Sequence, residues 1–322
     1  MTETKFDVTA LGELLIDFTD CGISDRGNPV MEANPGGAPC NVLSMLSKLG
    51  CKTAFIGKIG ADMFGRQLKS AVSAAGIDTS GLVEDKSVNT TLAFVHRLPN
   101  GDRDFSFYRR PGADMMLRAS EVNEELVKNC RIFHFGTLSM TSAVCREATE
   151  KAVRLAKESG RLISFDPNIR EPLWDELGSL RSAMDLGFNY CDILKISDNE
   201  IQWFTGENDC KRAAELLREK YNIPLVLVSL GAEGSMAFSE SGFAFVPAYK
   251  VVTADTTGAG DCFCACVLSY VLGHGLSDYS EAELSGMLRF ANAAAAIVTT
   301  RKGALAVMPE NAEIGSFMLD RE

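Results

Sequence analysis

The sequence predicts an α/β fold of three layers. Helices cover both faces of a mainly parallel central sheet, and a small β-sheet lid stands at one end. Three observations predict this. Short apolar runs alternate with amphipathic helical stretches along most of the 322 residues, which is the pattern of repeated βαβ units. Two stretches, about 14–35 and 88–115, break that rhythm with β-like segments that have no place in the main sheet. No internal repeat, low-complexity tract or linker interrupts the chain, so residues 1–322 read as one domain with the lid formed by the two insertions.

Taken in order, residues 6–11 (FDVTAL) predict a first buried strand. Residues 14–35 carry no helical period and hold Gly22, Gly27 and Pro29. A helix over 38–49 is stopped by Gly50, a strand follows over 52–59, and a helix over 62–75 is stopped by Gly76. The runs TLAFVHRL and DFSFYRR flank Pro99-Asn100-Gly101-Asp102, a strong hairpin signal. Strands are predicted over 131–138, 162–166, 192–196 and 225–230, with helices at about 142–158, 179–189 and 210–221. The helix over 262–272 is apolar almost all round and therefore buried.

Composition narrows the function. Hydrophobic residues make up 46% and charged residues 23%, a globular balance that excludes general disorder and fibrous classes. A net charge of −11 argues against a nucleic-acid partner, which would need a basic footprint. No apolar window is long enough to cross a membrane, and Met1-Thr2-Glu3-Thr4-Lys5 lacks a signal-peptide pattern. Ten cysteines without a CxxC pair read as reduced, buried side chains, and the expected compartment is the cytoplasm. Cys262, Cys264 and Cys266 lie two apart on a helix, so they do not converge on one metal. His96, His134 and His274 are scattered.

The most informative segment is Asp255-Thr256-Thr257-Gly258-Ala259-Gly260-Asp261, immediately before the apolar helix. Three small residues at a helix start expose backbone N–H groups and admit a phosphate close to the backbone. A carboxylate beside such a cradle repels an anion unless it has a task. For Asp261 that task is to accept the proton of a hydroxyl attacking the phosphate. The competing reading of an isolated GxGD is a turn and an acidic cap. Asn34-Pro35-Gly36-Gly37-Ala38-Pro39-Cys40-Asn41 opens the first helix. Asn41 carries a donor and an acceptor suited to sugar hydroxyls, although a plain turn and helix start fit equally. Asp17, after the first strand, is either a further polar group of the site or a turn aspartate. There is no GxxxxGK[ST] P-loop and no dinucleotide-binding GxGxxG, which counts against a nicotinamide oxidoreductase.

GGAPCN at 36–41 and DTTGAGD at 255–261 resemble the two signatures of the PfkB (ribokinase-like) family of carbohydrate kinases, and the likeness runs from Phe6 to about Pro309. DPNIREPLW at 166–174 and FYRRPGAD at 107–114 are most similar to fructokinases and 2-keto-3-deoxygluconate kinases. The resemblance implies a ribokinase-like fold, ATP and Mg²⁺ as cofactors, and a small sugar as substrate. It implies Asp261 as catalytic base and Gly258, Ala259 and Gly260 as anion hole. Asp17, Gly36, Gly37 and Asn41 would hold sugar hydroxyls. Phe107 and Arg109 would lie in the lid over the sugar, and Asn168 and Arg170 would reach substrate and phosphate. Lys195, Ser229, Gly231, Gly234 and Asn292 match nucleotide-side positions. Ser197-Asp198-Asn199-Glu200 stands where the family has NxxE; serine replaces the leading asparagine, and Glu200 would act on Mg²⁺ through water. Asp255 and Thr257 match a monovalent-cation site, which leaves K⁺ open.

The activity expected is transfer of the γ-phosphoryl group of MgATP to a primary hydroxyl, with D-fructose preferred. Arg109 and Arg170 keep 2-keto-3-deoxygluconate as a rival, because arginine pairs bidentately with carboxylates. Ribose and ribosides follow. A non-catalytic sugar-binding regulator on the same fold is the alternative from another class. Phe94, Phe105 and Phe107 either cover the substrate or form a homodimer face on the lid.

Overall fold

The computed structural model describes residues 4–97 and 103–321. The chain runs β1 (Phe6–Leu11), β2 (Leu15–Ile23), β3 (Pro29–Gly36), α1 (Ala38–Lys48), β4 (Thr53–Gly60), α2 (Met63–Ala74), β5 (Ile77–Asp85), β6 (Leu92–Arg97) and β7 (Arg103–Tyr108). Then follow α3 (Glu124–Lys128), β8 (Cys130–Gly136), α4 (Ala143–Glu158), β9 (Leu162–Asp166), α5 (Leu177–Tyr190), β10 (Ile193–Ser197), α6 (Asp198–Thr205) and α7 (Cys210–Tyr221). The last part is β11 (Leu225–Ser229), β12 (Gly234–Phe238), β13 (Phe243–Pro247), α8 (Ala259–His274), α9 (Glu281–Thr299) and α10 (Asn311–Leu319).

Nine strands form the main sheet in the order β13-β12-β11-β10-β9-β8-β1-β4-β5. Seven neighbours from β11 to β5 run parallel, while β12 and β13 return antiparallel at one edge. Alternation along each strand divides the core. On β11, Leu225 and Leu227 face the layer that contains α1, α8 and α9. Val226 and Val228 face the layer that contains α4, α5 and α7. This is the three-layer arrangement expected from the alternating pattern. Sequence reasoning missed β5, β12 and β13: the last two are short and joined by a tight turn, so they read as loop.

The lid is a separate sheet in the order β3-β2-β6-β7. β2 pairs antiparallel with β3 and parallel with β6. The predicted turn Pro99-Asn100-Gly101-Asp102 lies outside the described residues. On one face Phe94 stacks on Phe18 at 4.8 Å and meets Tyr108 edge-on at 5.2 Å. Phe107, one residue from Tyr108, points to the opposite face, because successive strand residues alternate. Among the described residues, no helix is long and apolar enough to cross a membrane.

Candidate active site

The carboxyl ends of β1, β8, β9 and β10 meet the starts of α1 and α8 beneath the lid, where open α/β sheets hold ligands. Gly258 caps α8 with φ +80°, a left-handed conformation that glycine adopts without strain. Helix geometry leaves its first N–H groups without partners. The expectation of exposed N–H groups along the three small residues is corrected at one of them: the Ala259 N–H donates to the Thr256 carbonyl at 3.3 Å. α8 is buried nearly all round, with Cys262, Cys264 and Cys266 all in the core. Among the described residues no group of His, Cys, Asp and Glu could hold a metal.

Two cavities meet at this helix start. The first, of about 280 Å³, lies under the lid, with Asp17, Asn41, Phe107, Asn168, Arg170 and Asp261 in its wall. The second, of about 480 Å³, lies between the β11–β12 turn, the 248–253 loop and α9. Ser229, Gly231, Gly234 and Ala259 line it with Tyr249, Val251, Phe263 and Ala295. Thr256 and Gly260 belong to both walls, so the anion cradle is the seam.

The two sequence motifs, 220 residues apart, are in contact. The Asn41 side-chain amide donates to Asp261 Oδ2 at 2.7 Å. Asn41 is buried, and its Oδ1 has no hydrogen-bond partner. A buried carbonyl left so is an acceptor waiting for a donor. Burial raises the Asp261 carboxyl above its usual value, while the Asn41 hydrogen bond and the charges of Lys195 and Arg170 oppose that rise. Burial likewise lifts Asp17 to about 7, against the pull of Arg170 and with Asp255 and Asp261 adding to the rise. Gly36 does not line the cavity, yet a Cβ there would overlap the Asp17 carboxylate. Gly37 has φ +131°, and a Cβ would run into the Glu13 carbonyl. The two glycines therefore let β3 pass close to the site.

Glu13 and Asp166 were not singled out from the sequence. The Glu13 carboxylate accepts the Ala38 N–H at 2.8 Å, lies in the wall of the first cavity, and is lifted by burial to about 7. A carboxyl directly after the first strand, beside Gly12, is the signal that could have found it. Asp166 pairs with Lys195 at 3.0 Å, both buried.

Several expected roles change place. Arg109 does not reach the first cavity. Its guanidinium is buried in an ion pair with Asp114 at 2.6 Å and also donates to Thr141 and the Leu138 carbonyl. A desolvated arginine needs such partners, so it fastens the lid's base and is corrected from a substrate contact to a structural one. Lys195, expected on the nucleotide side, lines the first cavity, where Asn168 stands with Arg170. Glu200 lines neither: its oxygens accept the N–H groups of Ile169 at 2.7 Å and Ser197 at 2.9 Å. With Ser197 it forms the capping box of α6, which the Ser-x-x-Glu spacing itself announces. Asn292 lines the second cavity, but its amide bonds Ser235 and the Val246 carbonyl. Asp255 Oδ1 accepts both the N–H and the hydroxyl of Thr257. Phe94 is taken up in the lid's aromatic stack, away from the cavity, and the Phe105 side chain lies outside the described residues.

Comparison with known proteins shows the family and the fold. Residues 5–311 match the profile of the family described as "pfkB family carbohydrate kinase". The chain is 40% identical to "Probable fructokinase-3" of Arabidopsis thaliana over 100% of this chain and 94% of that protein. Among solved structures, a fructokinase from Xylella fastidiosa with bound ATP superposes with a TM-score of 0.89 at 30% identity, covering 98% of each chain. A double-mutant fructokinase from Vibrio cholerae O395, with fructose, ADP and potassium ion bound, superposes with a TM-score of 0.86 at 28% identity, covering 98% of this chain and 99% of that one.

Proposed function

The chain belongs to the pfkB family of carbohydrate kinases, and from that premise we propose that it transfers the γ-phosphoryl group of MgATP to the primary hydroxyl of D-fructose, giving fructose 6-phosphate and ADP. The observation that carries the reading is the contact between Asn41 and Asp261 at the seam of the two cavities. It sets a proton acceptor beside an anion cradle, and leaves a buried carbonyl ready for a sugar hydroxyl.

The sugar occupies the first cavity, held by Asp17, Asn41 and the backbone around Gly36 and Gly37 beneath Phe107. The nucleotide base and ribose occupy the second, among Ser229, Gly231, Gly234 and the α9 alanines. Asp261 takes the proton of the attacking hydroxyl. The hydroxyl oxygen bonds to the γ-phosphorus as the bond from that phosphorus to the β-phosphate's bridging oxygen breaks, and ADP leaves. The N–H groups of Gly260 and Asp261, with Arg170, face the charge that spreads over the phosphoryl oxygens; one such donor is worth about 10²–10³ in rate. Mg²⁺ bound with the nucleotide would supply neutralisation of phosphate charge while keeping much of its water. Glu200 fits as an acceptor for such water, since each of its oxygens keeps a second lone pair. Asp255 and Thr257 fit a monovalent cation beside the cradle. The solvent-facing Tyr108 and Ile23 of the lid fit a homodimer face. A cytoplasmic compartment accords with this chemistry.

Charge separates the candidate sugars. Among the described residues, the carboxyls of Glu13, Asp17, Asp255 and Asp261 line the first cavity with the cations Arg170 and Lys195, and Arg109 is spent on Asp114. A carboxylated sugar would enter against this excess, so an uncharged ketohexose is preferred over 2-keto-3-deoxygluconate. Ribose and ribosides rank behind. A mere sugar-binding protein has no use for Asp261. An ADP-release assay with ATP and Mg²⁺, with and without K⁺, tests this. The expected kcat/KM is highest for fructose; a higher value for the keto-acid sugar overturns the choice of substrate, and no turnover on any sugar overturns the activity.

A further inference from the structure

Lys195 is buried, yet it stands where two positive features meet. A Cβ on Gly260 would lie 3.1 Å from its Nζ, so the ammonium occupies the space this glycine leaves at the start of α8. The N-terminus of a helix carries partial positive charge. A buried cation pressed against it is unfavourable unless an anion compensates both. One anion is on the page: Asp166, at 3.0 and 3.2 Å from Nζ through its two oxygens. It ends β9 and lies beside Lys195 of β10, just past the paired residues Phe165 and Leu194. Asp166 holds the ammonium from the sheet side and leaves the cradle side open. Lys195 and Gly260 both line the first cavity, and Gly260 lines the second as well.

Resting on the kinase reading above, we propose that the Lys195 ammonium is a catalytic charge that meets the phosphoryl group in transit, and that Asp166 is the positioning residue that keeps it at the cradle and off Asp261. One cation then serves both partners of the reaction. It faces the oxygens of the moving phosphoryl group together with the Gly260 and Asp261 amides, and it favours the ionised form of Asp261, the base. The electrostatics agree. Burial pulls Lys195 down, but Asp166, Glu200 and Asp261 outweigh it and hold the ammonium charged. Lys195 and Arg170 both oppose the rise of Asp261. His134, bonded to Ser164 beneath the pair, is pushed down to about 3 by burial and by Lys195, so it stays neutral and adds no competing charge. The charged and titratable groups around the base are thus Lys195, Arg170, Asp17 and Asp255, the Cys262 and Cys264 thiols that burial pushes up and keeps neutral, and Asp166 and Glu200 behind Lys195.

The test uses the full chain with fructose and MgATP. Lys195→Met is expected to lower kcat about 100-fold, with the fructose dissociation constant, measured without nucleotide, within about threefold of wild type. Removing the cation favours the protonated base, so the acid limb of the kcat/KM profile moves to higher pH; a purely structural lysine would not move it. Lys195→Arg restores part of the rate. Asp166→Asn lowers kcat about tenfold with the same fructose affinity, and the double variant is no slower than Lys195→Met, because Asp166 acts through the ammonium. If Lys195→Met alone fails to fold, the double variant, which removes both buried charges together, carries the same 100-fold expectation. A lysine-free variant within about fivefold of wild-type kcat, an unmoved acid limb, or multiplying effects in the double variant overturns the inference. Wild-type turnover of fructose is the control. Its absence counts against the proposed substrate, whereas fast turnover without Lys195 counts against this inference alone.

Discussion

The two cavities that meet at Gly260 are built on opposite principles. The one beneath the lid is walled by carboxyls, an asparagine and close-passing backbone, so it recognises by hydrogen bonds to hydroxyls. The one beside α9 is walled by Tyr249, Val251, Phe263 and alanines, so it recognises by apolar area. A polar floor rejects a ligand that leaves its buried acceptors unpaired, while an apolar cleft discriminates weakly among flat rings. Acceptor choice should therefore be sharp and depend on single atoms, whereas nucleotide choice should follow shape.

The largest expected effect lies at the seam. Asp261→Asn removes the proton acceptor but keeps the shape and a partner for Asn41. Turnover should fall by roughly 10²–10⁴, with fructose binding by calorimetry nearly unchanged; surviving turnover would remove Asp261 from its role. Next come changes that load one cavity only. Gly36→Ala forces the Asp17 carboxylate aside and should raise the KM for fructose by about 10–100-fold, a loss of about 1.4–2.7 kcal/mol, with the KM for ATP held. Ala295→Phe fills the second cavity and should do the reverse, by about tenfold. If either variant moves both constants equally, the cavities are not independent.

The smallest effect concerns pH and sets stability against activity. Glu13 and Asp17 are lifted by burial to about 7. Between the unfolded carboxyl range and pH 7 the folded chain binds more protons than the unfolded one, so stability is greatest at the low end and declines as pH rises to about 7. His134, held near 3 by burial, works the other way below its unfolded value of about 6.5, one group against two. The melting temperature of the ligand-free protein should fall by about a few degrees from pH 5 to pH 8. Over the same range kcat/KM should rise, because Asp17 and Asp261 accept hydroxyl protons only when ionised. Parallel trends in the two measurements would show that the buried carboxyls do not control the acceptor cavity.

Much of this arrangement is legible in the amino-acid order. Apolar alternation announces β1, β4 and β8 to β11, and Gly258-Ala259-Gly260-Asp261 before an all-apolar helix announces a cradle with a base. These features depend on neighbours in the chain, so local spacing encodes them. The hairpin motif around Pro99 and the absence of helical period in 14–35 announce a lid. What the chain order left open depends on groups brought together from afar. FYRRPGAD offers Arg109 as a substrate contact, but only packing reveals Asp114, Thr141 and the Leu138 carbonyl closing around it. The Ser197-to-Glu200 spacing suits both a metal motif and a helix cap, and only the folded chain brings the Ile169 N–H to the same carboxylate. Glu13 carries no motif at all, and Asp166 opens DPNIREPLW without a role that the motif reveals, because the importance of both comes from burial.

The order of residues by itself determined the alternating α/β fold, the small-residue helix start, and the carboxyl proposed as the base, since backbone conformation and side-chain type are local properties. Only the tertiary structure decided which charges reach the site. Arg109 and Asp114 neutralise each other away from it, while Asp166 holds the Lys195 charge within it, because the energy of a charge depends on burial and on partners that arrive from distant parts of the chain.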